Sequence, residues 1–140
     1  MILASCDREI AATVDVLWSL ISSAEGLNEW MSVEATVDLV PGGEIRWVHD
    51  NGWVVAGQIL EVVPMRRLVF TYGWESGGFP VPVGSSEVSI ELESRGGSTL
   101  VRVRHDGLSP DMAEQHSTGW NMFLDGLAER AEAHDMGGAR

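Results

Sequence analysis

Two histidines are the side chains of this sequence best suited to proton transfer. His105 ends the inner, apolar row of a predicted strand, and His116 lies on the apolar stripe of the predicted C-terminal helix. A tight turn through residues 107–110 would bring both imidazoles to one end of the space between strand and helix. Because an imidazole titrates near neutral pH, such a pair could act as a general base or orient a polar group of a ligand.

A structural role for both histidines is the alternative. Each could make one hydrogen bond to the backbone and close one end of the core. Catalytic groups normally occur with an orienting carboxylate, and the nearby Asp106 has the strand phase of an outward-facing side chain. We therefore favour the structural role and assign no catalytic residue, while His105 and His116 stay candidates for acid–base chemistry.

Aromatic side chains are the second feature with chemical potential, because the 140 residues include six tryptophans. On the inner faces of strands such side chains either fill a core or wall a cavity, and an aromatic cavity favours a flat, apolar ligand. The residues predicted to line a ligand-binding cavity share an inward position on a strand or on the last helix: Trp47, Trp53, Tyr72, Trp74, His105, Met112, His116 and Phe123. Trp18 and Trp30 are expected to pack under short helices.

The sequence does not predict a metal site, a phosphate-binding loop or a reactive cysteine. The four histidines have no ligand-like spacing to each other or to the single cysteine, so no metal or cofactor is expected. No glycine-rich stretch lies between a strand and a helix of a parallel unit, as a phosphate-binding loop would. Cys6 lies in the first predicted strand and is expected to be a buried, unreactive thiol.

Composition limits the expected partners and compartment. A formal net charge of -12 argues against nucleic acid and anionic membranes as partners. No stretch has the order of a signal peptide and no apolar run is long enough to span a membrane, so a cytoplasmic location is expected. The length suits one domain over 1–140, with a core over 5–133 and a frayed tail over 134–140.

Hydrophobic periodicity predicts the order of the elements. A first strand ends near Ala11, and two short helices follow, the first capped by Thr13 and the second by Ser23. About six antiparallel strands come next. A long helix then runs from Asp111 to about Ala133.

The hairpin over residues 44–62 has Asn51–Gly52 at its tip. A two-residue loop would place Trp47 and Trp53 on opposite faces, whereas a three-residue loop with a left-handed Gly52 keeps them on one face. We favour the three-residue loop.

A second hairpin turns at residues 95–98. Pairing across that turn places Val88 opposite His105 on the inner face and Glu91 opposite Arg102 on the outer face. The outer pair is expected to be a cross-strand ion pair.

The last helix contains HSTGW at 116–120. Ser109 is its expected cap, with proline at the first helical position. Its predicted apolar stripe consists of Met112, His116, Gly119, Phe123 and Leu127. Because Gly119 has no side chain, it is expected where the helix backbone comes close to the sheet, with Trp120 anchoring the helix beside it.

These elements predict an α+β fold. An antiparallel sheet with one apolar face must cover that face, and only the last helix is long enough to do so. The expected architecture is a curved antiparallel sheet wrapped around the C-terminal helix, with two short helices after the first strand. A wedge between sheet and helix is a place where small-molecule cavities form.

Five segments in order and spacing carry a family resemblance: ATVDVLWSLIS, LNEW, VPGGEI, GQILEVVPMRRLVFTYGW and HSTGWNMFLDGL. Over roughly residues 5–130 the chain resembles the activator of heat-shock protein 90 ATPase homologue-like proteins of the START/SRPBCC (Bet v-like) superfamily. The resemblance implies a helix-grip fold with a ligand-capable cavity between the sheet and the terminal helix.

Function follows from a fold less directly, because this fold hosts binding proteins, cyclases and chaperone cofactors. The leading hypothesis is a protein that binds a hydrophobic or aromatic small molecule. One alternative is a cyclase- or hydrolase-type enzyme that uses a cavity histidine. The other is a chaperone-interacting module, although the eukaryotic co-chaperone has an additional N-terminal domain for which this chain has no room. A homodimer is compatible with each hypothesis.

Overall fold

Seven strands and three helices make up the structure, a computed structural model that describes residues 2–138 and the side chains of residues 3–133. The elements are β1 (Ile2–Ile10), α1 (Val14–Ile21), α2 (Ala24–Trp30), β2 (Glu34–Val37), β3 (Glu44–Val48), β4 (Val54–Val63), β5 (Arg67–Ser76), β6 (Ser86–Arg95), β7 (Ser98–Leu108) and α3 (Pro110–Gly138). All strands form one antiparallel sheet in the order β1-β7-β6-β5-β4-β3-β2. The predicted helix-grip α+β fold is therefore confirmed.

The helices begin at the predicted residues. Thr13 has extended backbone angles before α1, although its side chain makes no capping hydrogen bond. The Ser23 hydroxyl accepts from the Gly26 amide at 2.9 Å, and the Ser109 hydroxyl accepts from the Met112 amide at 3.3 Å. Both serines thus satisfy an amide that the first helical turn leaves without a partner.

Both hairpins have the predicted register. In the β3–β4 hairpin Trp47 pairs with Val55, and Gly52 has a left-handed φ of 89°, as the three-residue loop requires. In the β6–β7 hairpin Val88 pairs with His105. Alternation then places both inner rows on the face that α3 covers.

The outer face of the β6–β7 hairpin differs from the prediction in one ion pair. Glu91 does lie opposite Arg102, but the Arg102 guanidinium contacts Glu93 at 3.3 Å and Glu91 faces Arg67 at 3.7 Å. Diagonal neighbours on a sheet are within reach of long side chains. The register alone therefore did not identify the ionic partner.

α3 packs against β1, β7 and the other two helices through a stripe that repeats every three or four residues. The buried stripe consists of Met112, Ala113, His116, Trp120, Leu124, Leu127 and Ala131. The helix extends to Gly138, so residues 134–138 continue it instead of forming the predicted tail. Residues 139 and 140 lie outside the described part of the chain.

The prediction for Gly119 is wrong. Gly119 is exposed, and a Cβ added to it would meet no atom within 4 Å. It lies about 100° around the helix from the buried Trp120 and borders open space in which no sheet atom comes close. The missing side chain therefore leaves a gap beside the helix and does not bring the backbone closer to the sheet.

No helix in the described part of the chain combines the length and apolar content needed to span a bilayer.

Candidate functional site

A pocket of about 340 Å³ lies between α3, the end of α2 and the β3–β5 part of the sheet. Seven aromatic rings contribute to its walls: Trp30, Trp47, Tyr72, Trp74, Phe79, Trp120 and Phe123. The other lining residues are Met31, His49, Gln115, His116, Gly119, Met122 and Gly126. We call this space the aromatic pocket.

The rings contact each other in two groups, edge to face at the helix end and tilted at the sheet end. At the helix end, the Trp30 and Trp120 rings lie 4.8 and 4.9 Å from the Phe123 ring. At the sheet end, Trp74 lies 5.1 Å from Phe79. Such contacts hold aromatic side chains in defined orientations, so the walls are built from rings that support each other.

His116 has both ring nitrogens engaged. Its Nε2 accepts from the Trp74 indole N–H at 3.0 Å, and its Nδ1 donates to the Met112 carbonyl at 2.8 Å. An imidazole that accepts at one nitrogen and donates at the other is neutral. Burial lowers the pKa of His116, which agrees with this assignment.

His105 is held in the same way behind the pocket wall. The Trp120 indole N–H donates to its Nδ1 at 3.0 Å, and its Nε2 lies 2.8 Å from the Ser86 hydroxyl. Because that hydroxyl donates to the Tyr72 carbonyl at 2.8 Å, it accepts from Nε2–H. Burial, and next the proximity of His116, lowers the pKa of His105 from 6.5 to about 3.

His49 completes a set of three indole–imidazole pairs. The Trp47 indole N–H donates to His49 Nε2 at 3.2 Å, so neutral His49 carries its proton on Nδ1. No described residue accepts a hydrogen bond from that nitrogen. The imidazole stacks on Trp74 with ring centroids 5.5 Å apart, and burial lowers its pKa although Asp50 opposes the shift.

Tyr72 forms the floor between the two groups of rings. Its ring lies 6.0 Å from Trp47 and 5.8 Å from Trp120, and the residue is 5% exposed. No described residue hydrogen-bonds to its hydroxyl, yet every fully buried side-chain nitrogen or oxygen in the described chain has a partner. The hydroxyl therefore borders the open space of the pocket. Burial raises its pKa far above the ordinary value.

Five of the eight predicted cavity residues line the pocket, namely Trp47, Tyr72, Trp74, His116 and Phe123. Trp53 packs edge-on against Trp74 at 5.9 Å, outside the lining. His105 lies behind Tyr72, and Met112 is buried in the core. The tight turn after β7 does bring the two predicted histidines together, with ring centroids 5.2 Å apart.

Several lining residues were not predicted. His49 continues the alternation of Ile45 and Trp47 on β3, so strand phase could have identified it. Phe79 lies in a loop that folds back onto β5, where the Trp74 amide donates to the Val81 carbonyl at 2.7 Å. No periodicity marks such a position. Trp30 was assigned to packing only, but it reaches the pocket and donates to the Leu20 carbonyl.

Cys6 is buried, as predicted. Its Sγ lies 3.6 Å from the Ser117 carbonyl, and burial raises its pKa. Among the residues that the structure describes, no three His, Cys, Asp or Glu side chains come together in a way that could hold a metal ion.

A sequence model of a known protein family identifies the family of this chain. The sequence model of the family described as Activator of Hsp90 ATPase homolog 1-like protein matches residues 11–132, well over half of the chain. No curated protein matches the chain.

Three solved structures illustrate the similarity. The Aha1 dimer from Colwellia psychrerythraea is 22% identical, with a TM-score of 0.79 over 94% of this chain and 97% of that one. CalU16 from Micromonospora echinospora is 30% identical, with a TM-score of 0.72 over 89% and 73%. DynU16, a protein in the dynemicin biosynthetic locus, is 20% identical, with a TM-score of 0.81 over 95% of this chain and 48% of that one. The present chain belongs to the Activator of Hsp90 ATPase homolog 1-like family.

Proposed function

We propose that this protein binds a small, flat, apolar molecule in the aromatic pocket. The observation that carries the proposal is the pocket itself, about 340 Å³ of open space walled by aromatic rings. This volume lies at the lower end of the range of about 300–1,000 Å³ that is usual for ligand pockets. It suits a ligand of a few fused rings.

The indole–imidazole pairs support this proposal. A tryptophan that lines a pocket offers both a ring and an N–H donor, but here His49 and His116 occupy the N–H groups of Trp47 and Trp74. The two tryptophans therefore present their rings to a ligand and not their donors. Ring contacts of this kind favour stacking and edge-to-face binding.

The same pairs argue against the acid–base alternative. A general base needs a nitrogen free to accept the substrate proton. In His105 and His116 both nitrogens are hydrogen-bonded, and the lowered pKa values oppose protonation. Proton transfer through either would first break a bond that positions a tryptophan.

A titration with naphthalene, followed through the indole N–H signals in proton–nitrogen NMR spectra, tests the proposal. We expect the signals of Trp47, Trp74 and Trp120 to shift saturably, while that of Trp18, buried outside the pocket, stays in place. Adamantane has the same number of carbon atoms and no polar group but a globular shape, and it should bind more weakly. Equal or tighter binding of adamantane would contradict the preference for flat molecules, and no saturable shift would contradict ligand binding.

A matched pair of variants locates the binding site. Gly119→Phe places a ring in the open space beside α3, so we expect it to weaken naphthalene binding at least tenfold, or by about 1.4 kcal/mol. Thr118→Phe adds the same side chain at an exposed position outside the lining and should leave binding unchanged. Equal affinities for the two variants would mean that naphthalene binds elsewhere.

A further inference from the structure

We infer that the natural ligand carries a neutral hydrogen-bond acceptor, such as a carbonyl oxygen or an aromatic ring nitrogen, which accepts from the Tyr72 hydroxyl. The inference rests on the proposed function and specifies the chemistry of its ligand. It gives the ligand an orientation, with its acceptor toward Tyr72 and its apolar body toward the rings of Trp30, Trp120 and Phe123.

The Tyr72 hydroxyl is an unused hydrogen-bond donor. The residue is 5% exposed, and its hydroxyl has no hydrogen-bond partner among the described residues. When an apolar ligand displaces water from the pocket, this hydroxyl is left unpaired unless the ligand supplies an acceptor, and an unpaired buried hydroxyl is unfavourable. A ligand acceptor placed against it avoids that cost.

The neighbouring side chains do not compete for this donor. The nearest imidazoles, His105 and His116, lie 4.4 and 5.8 Å from the Tyr72 ring between centroids. Their acceptor nitrogens are already occupied by the indoles of Trp120 and Trp74. The Tyr72 proton is therefore left for a ligand.

The polar groups of the pocket also favour one direction for the hydrogen bond to the ligand. A phenolic oxygen can also accept, but a ligand N–H bound to it would leave the hydroxyl proton without a partner. His49 Nδ1–H is a second donor in the lining without an acceptor among the described residues. The unused polar groups at the sheet end of the pocket thus favour an acceptor on the ligand.

The charge of the pocket favours a neutral ligand. The residues of the lining carry no formal charge when the histidines are neutral, and the chain as a whole has a net charge of -12. An anionic acceptor would lose its hydration on entering the pocket without gaining a cationic partner. A neutral acceptor avoids this cost.

Naphthalene and quinoline test the inference, because the two molecules have the same shape and quinoline differs by one ring nitrogen that accepts a hydrogen bond. Binding of both to the wild type and to Tyr72→Phe is measured by the indole NMR titration at mildly alkaline pH, where quinoline is uncharged. We expect Tyr72→Phe to weaken quinoline binding about tenfold and to change naphthalene binding by less than about twofold.

The outcomes separate the two proposals. An equal effect of Tyr72→Phe on both molecules, or no effect on quinoline, would overturn the acceptor inference and leave the proposed function intact. Failure of both molecules to bind the wild type would overturn the proposed function as well. Because the Tyr72 hydroxyl has no partner within the described chain, Tyr72→Phe should fold normally, which its melting temperature checks.

Discussion

His105 illustrates how single residues build this site. It makes no contact with the pocket space, yet its Nδ1 holds the Trp120 indole and its Nε2 proton holds the Ser86 hydroxyl, which in turn bonds the Tyr72 carbonyl. One imidazole therefore connects a helix to two strands. Its role is to position two of the pocket's rings.

Ser86→Ala tests this role. The substitution leaves the Nε2–H of a completely buried imidazole without an acceptor, which costs about 1–3 kcal/mol. We expect the free energy of unfolding, measured by urea denaturation, to fall by that amount. Ser85→Ala removes the neighbouring exposed hydroxyl and should leave stability unchanged. Equal stabilities of the two variants would mean that the hydrogen-bond chain through Ser86 contributes nothing.

At the scale of elements, one face of α3 packs against the sheet and another face borders the aromatic pocket. Its buried stripe fastens it to β1 and β7, while Gly119 and Gly126, two turns apart, lie beside the pocket. Glycine is a poor helix former, because its unfolded state is more flexible than that of any other residue. Two glycines on one side of a long helix therefore lower stability and keep space open.

Gly119→Ala tests whether the glycine lowers the stability of the helix. Its Cβ would meet nothing within 4 Å, so we expect the variant to gain up to about 1 kcal/mol from helix propensity, seen as a higher melting temperature. At Gly126 an added Cβ would approach the Trp30 ring to 3.3 Å, so Gly126→Ala should gain less. A lower melting temperature for Gly119→Ala than for the wild type would contradict the open environment of Gly119.

Elements formed by alternation and turn chemistry were predictable from the sequence. The register of both hairpins followed from a left-handed Gly52 and from pairing around residues 95–98. The pocket was predicted only in part, because Phe79 enters from a loop without periodicity. Gly119 was misplaced because its position on an apolar stripe gives only an approximate angle around the helix. Nothing in the spacing indicated that Trp74 would pair with His116, 42 residues away.

At the scale of the whole molecule, an acidic surface surrounds an uncharged site. Arginine side chains are engaged in surface ion pairs, such as Arg46 with Glu75 and Arg104 with Asp7, each bonded through a guanidinium. Exposed pairs of this kind contribute little to stability. The groups whose protonation matters most to the fold are instead the histidines paired with indoles, and these link the stability of the protein to pH.

The pH dependence of unfolding tests that link. Unfolded histidine titrates near 6.5, whereas native His105 has a pKa of about 3, and burial also lowers the pKa of His116 and His49. Between these values the unfolded chain binds more protons than the folded one, so stability is fully present above pH 6.5 and is lost as the pH falls toward 3.

The carboxylates affect the stability of the protein in a lower pH range than the histidines do. The lowered pKa values of exposed Glu75 and Glu93 affect stability below their ordinary value of 4.5, so the histidines control the window from pH 6.5 to 4.5. Urea denaturation at a series of pH values should show the free energy of unfolding decreasing there, with a slope that approaches about 1.4 kcal/mol per pH unit from His105 alone. Because His116 and His49 add to this slope, a steeper loss is also consistent with the three pairs. A constant free energy of unfolding across the window would mean that His105 is protonated in the folded protein, and that the Trp120 indole does not donate to it.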